Sequence, residues 1–326
     1  MSLAAGATTE PADEQLPARV DFPGPGLVSR LVAVVLRMVV RPVIALFARF
    51  PDARWPFGWV DRAAFLLPRP RGVRRQRVDL PHCCAELVTP KAPIAGAAIL
   101  YLHGGGFITC GLHTHRWLVA NITRAAGRPA LAVDYRQLPQ DGLAEALQDA
   151  VDGFRALRKR GYAAADISIV GDSAGGYLAV ATALAVVQAG LGKPAALAVL
   201  SPMTSIDPEF PVDGHADDPL LTRATVRALG RKLAARPTPP DLVVPGPRLT
   251  SANLAELPPA LIQVGTREVL REGAEELADR IAAAGVRCQL QTWDGQFHVF
   301  QAGAPVIGPA RAAVSEIAAF LRAGGV

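Results

Sequence analysis

Gly171-Asp172-Ser173-Ala174-Gly175 follows a short β-rich run, Asp166 to Val170, and opens an Ala-rich stretch that reads as helix. A strand, a sharp turn and a helix is the setting in which a G-x-S-x-G string presents a nucleophile, so this stretch bears on the fold and on the chemistry together. The serine of such a turn is held in a strained conformation that pushes its hydroxyl outward. Glycines are needed at 171 and 175 because side chains there would collide with the neighbouring strand and helix. Ser173 is therefore the candidate nucleophile. Taken alone, the pentapeptide fits an ordinary glycine turn equally well, and the reading depends on what the rest of the chain supplies.

Two segments supply it. His103-Gly104-Gly105-Gly106-Phe107 comes directly after the apolar run Ala97 to Leu102, a buried-strand pattern. Its successive glycines leave backbone N–H groups free to converge, with that of Ala174, on a developing oxyanion; the plainer alternative is a flexible turn. Trp293-Asp294-Gly295-Gln296-Phe297-His298 follows another apolar run, Cys288 to Thr292, and His298 is the only histidine after residue 215. It completes the order nucleophile, acid, histidine once an acid is found between 173 and 298.

That acid is expected on a loop after a strand, where it can orient the imidazole. Pro259 to Gly265 reads as a buried strand, and Glu268 is the first acid beyond it. Glu272 is the runner-up, and Asp279 lies too far into the next helical pattern. Asp294 sits in an Asp-Gly pair typical of turns. Glu268 also reads simply as an acid near a helix N-terminus, favoured by the dipole.

With both glycine motifs intact, the chain resembles the hormone-sensitive-lipase-like esterases of the α/β-hydrolase superfamily. The resemblance runs from about Val78 to Leu321 and includes Val133-Asp134-Tyr135-Arg136. It implies an α/β fold with a mostly parallel central sheet flanked by helices and topped by a helical cap. It further implies Ser173 as nucleophile, His298 as general base, and Gly105, Gly106 and Ala174 as oxyanion donors. Gly265-Thr266-Arg267-Glu268-Val269-Leu270 matches the family's Gly-x-x-Asp-x-Leu pattern with glutamate in place of aspartate. Leu138-Pro139-Gln140 stands where the family shows Ala-Pro-Glu, a departure away from the triad. The implied activity is hydrolysis of short- to medium-chain carboxylic esters through an acyl-enzyme, with lipase, amidase or a non-catalytic ligand receptor as alternatives.

Other features bound the rest. Half of the 326 residues are apolar and aromatics are few, which predicts an Ala/Val/Leu core around a buried parallel sheet. Cys83, Cys84, Cys110 and Cys288 do not suggest a disulfide scaffold, because adjacent cysteines do not readily bridge each other. Cys110 reads as a buried small hydrophobe. His103 reads as a loop-holding residue rather than a base. His113 and His115 would stand about 200° apart on a helix, without further ligands nearby, and read as surface or loop-packing residues. No metal or organic cofactor is expected.

Residues 1–26 read as a mobile arm lacking signal-peptide character, 27–75 as an N-terminal cap segment, 76–206 and 249–326 as the core, and 207–248 as a second cap segment. Leu27 to Phe50 is apolar enough to suggest a membrane span but carries Arg30, Arg37, Arg41 and Arg49. Central arginines cost about 2.5–3.5 kcal/mol each on insertion scales, and Pro42 is expected to break or kink a helix. Two arrangements are left: a lid packing its apolar face over the active site, or a helix on a membrane surface. From Leu27 to Leu80 there are eleven Arg and three Asp, a formal +8 in a chain whose total is +5. The basic stretch lacks any nucleic-acid recognition module. The partner expected is a small-molecule ester in a cytoplasmic protein, with peripheral membrane contact through 27–50 as the minority arrangement and homo-oligomerisation left open.

Overall fold

In chain order the elements are β1 (Arg19–Phe22), α1 (Leu27–Val35), a π-helical turn (Leu36–Val40), α2 (Arg41–Arg49), α3 (Gly58–Ala64), β2 (Val73–Asp79), β3 (Cys84–Pro90), β4 (Ala98–Leu102), α4 (Arg116–Ala126), β5 (Ala130–Asp134) and α5 (Leu143–Lys159). They continue with β6 (Ile167–Asp172), α6 (Ala174–Gln188), β7 (Ala196–Leu200), α7 (Arg223–Ala234), β8 (Ala260–Gly265), α8 (Arg271–Ala283), β9 (Cys288–Trp293) and α9 (Gly308–Arg322). This computed structural model describes residues 18–210, 216–236 and 246–325.

The strands form one sheet in the order β1-β9-β8-β7-β6-β4-β5-β3-β2. It is parallel except where β3 pairs antiparallel with β5 and with β2. Strands β4, β6, β7, β8 and β9 are buried along their whole length, as expected of parallel strands covered on both faces. Alternate residues of β4 feed two cores. Ala98, Leu100 and Leu102 pack with α5, α6 and α8, while Ile99 and Tyr101 pack with α4 and α9. Helix α6 is buried around nearly its full circumference, and it anchors the turn that carries Ser173 at the C-terminal end of β6.

Three expectations are corrected. Within the segment read as an arm, Arg19–Phe22 is a strand parallel to β9. Phe22 holds it there by stacking on Trp293 with ring centroids 3.9 Å apart; residues 1–17 lie outside the described residues. Pro42 does not end its helix. The turn ahead of it widens, Arg41 N–H reaching back five residues to Leu36 O, which absorbs the bond and the space a proline disrupts. Third, α2 packs against α7, yet the apolar side of the α1–α2 helix faces outward, not down onto the site.

The segment read from sequence as a second cap, 207–248, leaves and rejoins the sheet and its helices at one point, where Ser205 bridges Arg248 and Arg248 Nη2 lies 2.7 Å from Asp207 Oδ2. Residues 211–215 and 237–245 of this segment lie outside the described residues. Thr222 caps α7, its hydroxyl accepting from Thr225 N–H.

Candidate active site

Ser173 has φ 54° and ψ −120°, a conformation that strains any residue with a side chain. Its N–H donates to Leu200 O and its carbonyl accepts from Met203 N–H, both at 2.9 Å, so the turn is held from β7 as well. A Cβ at Gly171 would lie 2.1 Å from Gly175 O, and one at Gly175 would lie 2.1 Å from Leu102 O. Both glycines of the motif are sterically required.

His298, on the loop after β9, places Nε2 2.8 Å from Ser173 Oγ and Nδ1 3.2 Å from Glu268 Oε2. With Nδ1–H donating to the carboxylate, Nε2 is left to accept the serine proton. Glu268 lies in the turn between β8 and α8 and is fully buried. Its Oε1 accepts from Gly265 N–H at 2.6 Å and from Ser201 Oγ at 2.8 Å. Ser201 Oγ also accepts from Val299 N–H at 3.0 Å, tying the acid to the residue after His298. Burial pulls the His298 imidazole down, but the bond to Glu268 and the charges of Glu268, Asp218 and Asp172 outweigh it, and its pKa is raised above the ordinary histidine value. The other acids weighed from sequence are elsewhere: Glu272 and Asp279 are exposed on α8, and Asp294 is exposed in its turn.

The glycine loop lies directly against this turn. A Cβ at Gly104 would sit 2.3 Å from Asp172 Oδ2, and one at Gly105, where φ is 121°, would sit 1.9 Å from Thr109 O. His103 holds the loop as expected: Nδ1–H donates to Gly104 O at 2.7 Å, its carbonyl accepts from Tyr135 OH at 2.6 Å, and its ring stacks on Tyr135. Burial, then the neighbouring His115, lowers its pKa to about 4, which keeps it neutral. Leu229 of α7 covers Gly106, its methyls 2.9 Å from where a Cβ would be. Behind the loop opens a cleft of about 510 Å³ walled by Trp55, Phe57, Trp59, Ile108, Tyr135 and Leu138.

Sequence reasoning missed a second network. Asp172, in the motif itself, is buried; it accepts from Tyr101 OH at 2.6 Å and from His115 Nε2 at 3.2 Å. Of the two readings given to it, surface or loop-packing, His115 takes the second. It sits in the turn that precedes α4, where Asp61 of α3 accepts from the N–H groups of His113 and Thr114. Ser201 and Asp218 were missed too. Asp218 is buried, accepts from Leu220 N–H and Val269 N–H, and has its pKa raised by burial and, against the pull of His298, by the charge of Glu268. The signal for Ser201 was present: a polar residue at the end of an apolar strand. Among the described residues, the non-glycine positions with positive φ are Phe107, Cys110, Ser173, Ser201 and Val299. Phe107 belongs to the glycine loop, and Ser173, Ser201 and Val299 are the serine, a partner of the acid and the residue after the histidine, so four of these five strained positions lie where the serine, acid and histidine meet.

Residues 99–302 match the model of a family with the alpha/beta hydrolase fold. The chain is 36% identical over 323 residues to the carboxylesterase/phospholipase LipF of Mycobacterium tuberculosis, covering 94% of this chain and 84% of that protein. It is 38% identical over 298 residues to the esterase LipU of the same organism, covering 87% and 99%. Among solved structures, an esterase from the bacterial hormone-sensitive lipase family superposes with a TM-score of 0.78 at 28% identity, covering 93% of this chain and all of that one. EstE5, soaked with p-nitrophenyl butyrate, gives 0.79 at 29% identity over 92% and 99%.

Proposed function

The chain belongs to the hormone-sensitive-lipase-like branch of the α/β-hydrolase family and is a carboxylic ester hydrolase, and from that premise we propose that Ser173, His298 and Glu268 carry the reaction as a catalytic triad. His298 Nε2 takes the proton from Ser173 Oγ as the oxygen attacks the ester carbonyl. The N–H groups of Gly105, Gly106 and Ala174 stabilise the tetrahedral oxyanion. Collapse breaks the bond to the alcohol oxygen, which receives the proton from Nε2. Water, deprotonated by the same nitrogen, then attacks the acyl-serine; the second collapse returns the proton to Ser173 and releases the acid. Glu268 stays ionised throughout and stabilises the imidazolium. None of these steps calls for a metal or organic cofactor.

One observation carries this reading: a single imidazole spans the serine hydroxyl and a buried carboxylate with hydrogen-bonding distances on both sides. The substrates proposed are esters of short- to medium-chain acids, with Leu229 covering the glycine loop at Gly106. Hydrolysis of p-nitrophenyl esters from acetate to palmitate, with Ser173→Ala as control, tests both parts. Turnover is expected to fall on the order of 10⁶-fold in the variant and to decline toward the long chains. A variant with near-wild-type rates overturns the triad, and a maximum at palmitate overturns the chain-length reading.

A further inference from the structure

The helix from Leu27 to Arg49 is long and apolar enough to cross a membrane, yet little of it is buried in the protein. Ser29, Ala33 and Phe47 are its buried residues, whereas Leu27, Leu31, Val34, Val35, Met38 and Val39 are all exposed, Leu27 and Met38 at 73%. At about 100° per residue, the four of these in α1 share one sector roughly opposite Ser29 and Ala33. Phe47 makes edge-on contacts with Trp55 and Phe57, which lead into α3. There a second exposed apolar group follows, Trp59 and Leu66 at 67% and 85%. Isolated exposed hydrophobes need no explanation, but a surface this extended marks an interaction.

Charge selects the partner. Arg30 borders the apolar sector of α1 and Arg41 opens α2 just beyond it, within the stretch of eleven Arg and three Asp. A second copy docked by two-fold symmetry on this face would set that arginine-rich border against itself. A transmembrane placement would pull the helix off the protein, to which Arg37 ties it through Asp217, a carboxylate also 2.7 Å from Arg267 Nη2. An anionic bilayer satisfies both features, taking the apolar side chains into the headgroup boundary while the guanidinium groups meet lipid phosphates.

We propose that the α1–α2 helix is a monotopic docking surface that lies flat on membranes rich in anionic lipid. It stays attached to the body through Ala33, Phe47 and Arg37 and presents its Leu, Val and Met side chains to the bilayer. Because Asp217 precedes Asp218, whose carboxylate accepts from Val269 N–H, it is the attached side of the helix, at Arg37, that adjoins the Glu268 turn.

Co-sedimentation of the full chain with phosphatidylcholine vesicles, with and without about a third phosphatidylglycerol, tests this. Binding is expected on the anionic vesicles and should weaken as salt is added. The Leu31→Glu/Met38→Glu double variant should bind at least about tenfold less, and Arg30→Gln/Arg41→Gln should lose the preference for anionic lipid. An unchanged thermal unfolding midpoint in each variant separates lost docking from lost folding. Equal pelleting with and without vesicles overturns the proposal. So does undiminished binding by the folded double variant, or a concentration-dependent dimer that this variant dissolves while vesicles bind nothing.

Discussion

Two histidine–carboxylate pairs lie beside Ser173, His298–Glu268 and His115–Asp172, each with a nitrogen-to-oxygen distance of 3.2 Å. In both, burial alone would depress the imidazole, and the neighbouring carboxylate reverses that and raises it. The difference lies at the second ring nitrogen. In His298 it faces Ser173 Oγ; in His115 it lies 3.0 Å from Thr114 Oγ1, which is itself 3.0 Å from Asp61 Oδ1 and accepts from Gly111 N–H. The first pair can pass a proton to a reacting group. The second is enclosed by protein groups and acts as a brace, tying the residue before the serine to the turn ahead of α4. A raised histidine next to a buried acid therefore does not by itself identify a base. What the far nitrogen touches does.

The largest effect should come from the working pair. Glu268→Gln keeps an oxygen for Gly265 N–H and Ser201 Oγ but turns an amide N–H toward His298 Nδ1. The imidazole then adopts the other tautomer, and Nε2 no longer accepts from the serine. A fall of about 10⁴ in kcat is expected with folding retained, while Glu272→Gln, exposed on α8, should stay within a few-fold. Steady-state kinetics on p-nitrophenyl butyrate decides this, and the reverse pattern would move the acid to Glu272.

The brace should show itself in stability. Removing one partner of a buried pair leaves the other uncompensated, at a cost of about 3–5 kcal/mol, so His115→Ala should lower the urea midpoint far more than it lowers kcat. The pH dependence has a definite sign. The pKa of His115 is raised by folding, so its contribution is complete below about 6.5 and is lost as pH rises through the folded value. Burial pushes Asp172 up, but the charge and hydrogen bond of His115 and the Tyr101 hydroxyl outweigh it, and its pKa is lowered. Its contribution is complete above about 3.9 and is lost on acidification through the folded value. The stability gap between wild type and His115→Ala should be widest between those limits and narrower in alkaline buffer. A gap that is constant with pH would mean that the pair is not ionic.

How much of this was legible in the residues follows the same division. The strand at Ala98–Leu102 is an uninterrupted hydrophobic run, as a buried parallel strand often is, whereas Ile167–Asp172, Ala260–Gly265 and Cys288–Trp293 carry buried polar residues such as Ser168, Gln263, Gln289 and Gln291 and show themselves by their flanking glycines and turns. Ser173, His298 and Glu268 come together because each lies on the segment that follows a strand, β6, β9 and β8, at the C-terminal ends of the parallel strands. The brace was not legible. His115 and Asp172 are 57 residues apart, and only the β4–β6 pairing and the packing of α3 bring them together. Four-residue β1 was too short to show a period, and it is a partner ring, Trp293, that fixes it. The outward apolar face of α1 was hidden for a different reason: periodicity reports that a helix has two faces but not which one meets the protein.

The smallest effect couples the two pairs. The Asp172 carboxylate helps raise the His298 imidazole, by less than Glu268 and Asp218 do. As the proposed general base His298 must be neutral, so on that proposal kcat/KM should rise with pH along a limb whose midpoint lies above the ordinary value of about 6.5. Asp172→Asn removes one negative charge without touching the serine, the base or Glu268, and it keeps an oxygen that can accept from Tyr101. If the brace acts on the base through its field, the limb should move toward acid while kcat on the alkaline plateau changes little. If it acts only by holding the turn, the midpoint should stay where it is and the plateau should fall. The pH profile of kcat/KM for p-nitrophenyl butyrate separates these outcomes, because a shifted turn changes the geometry at Ser173 Oγ at every pH, whereas a lost charge changes only the fraction of His298 that is free to accept the proton.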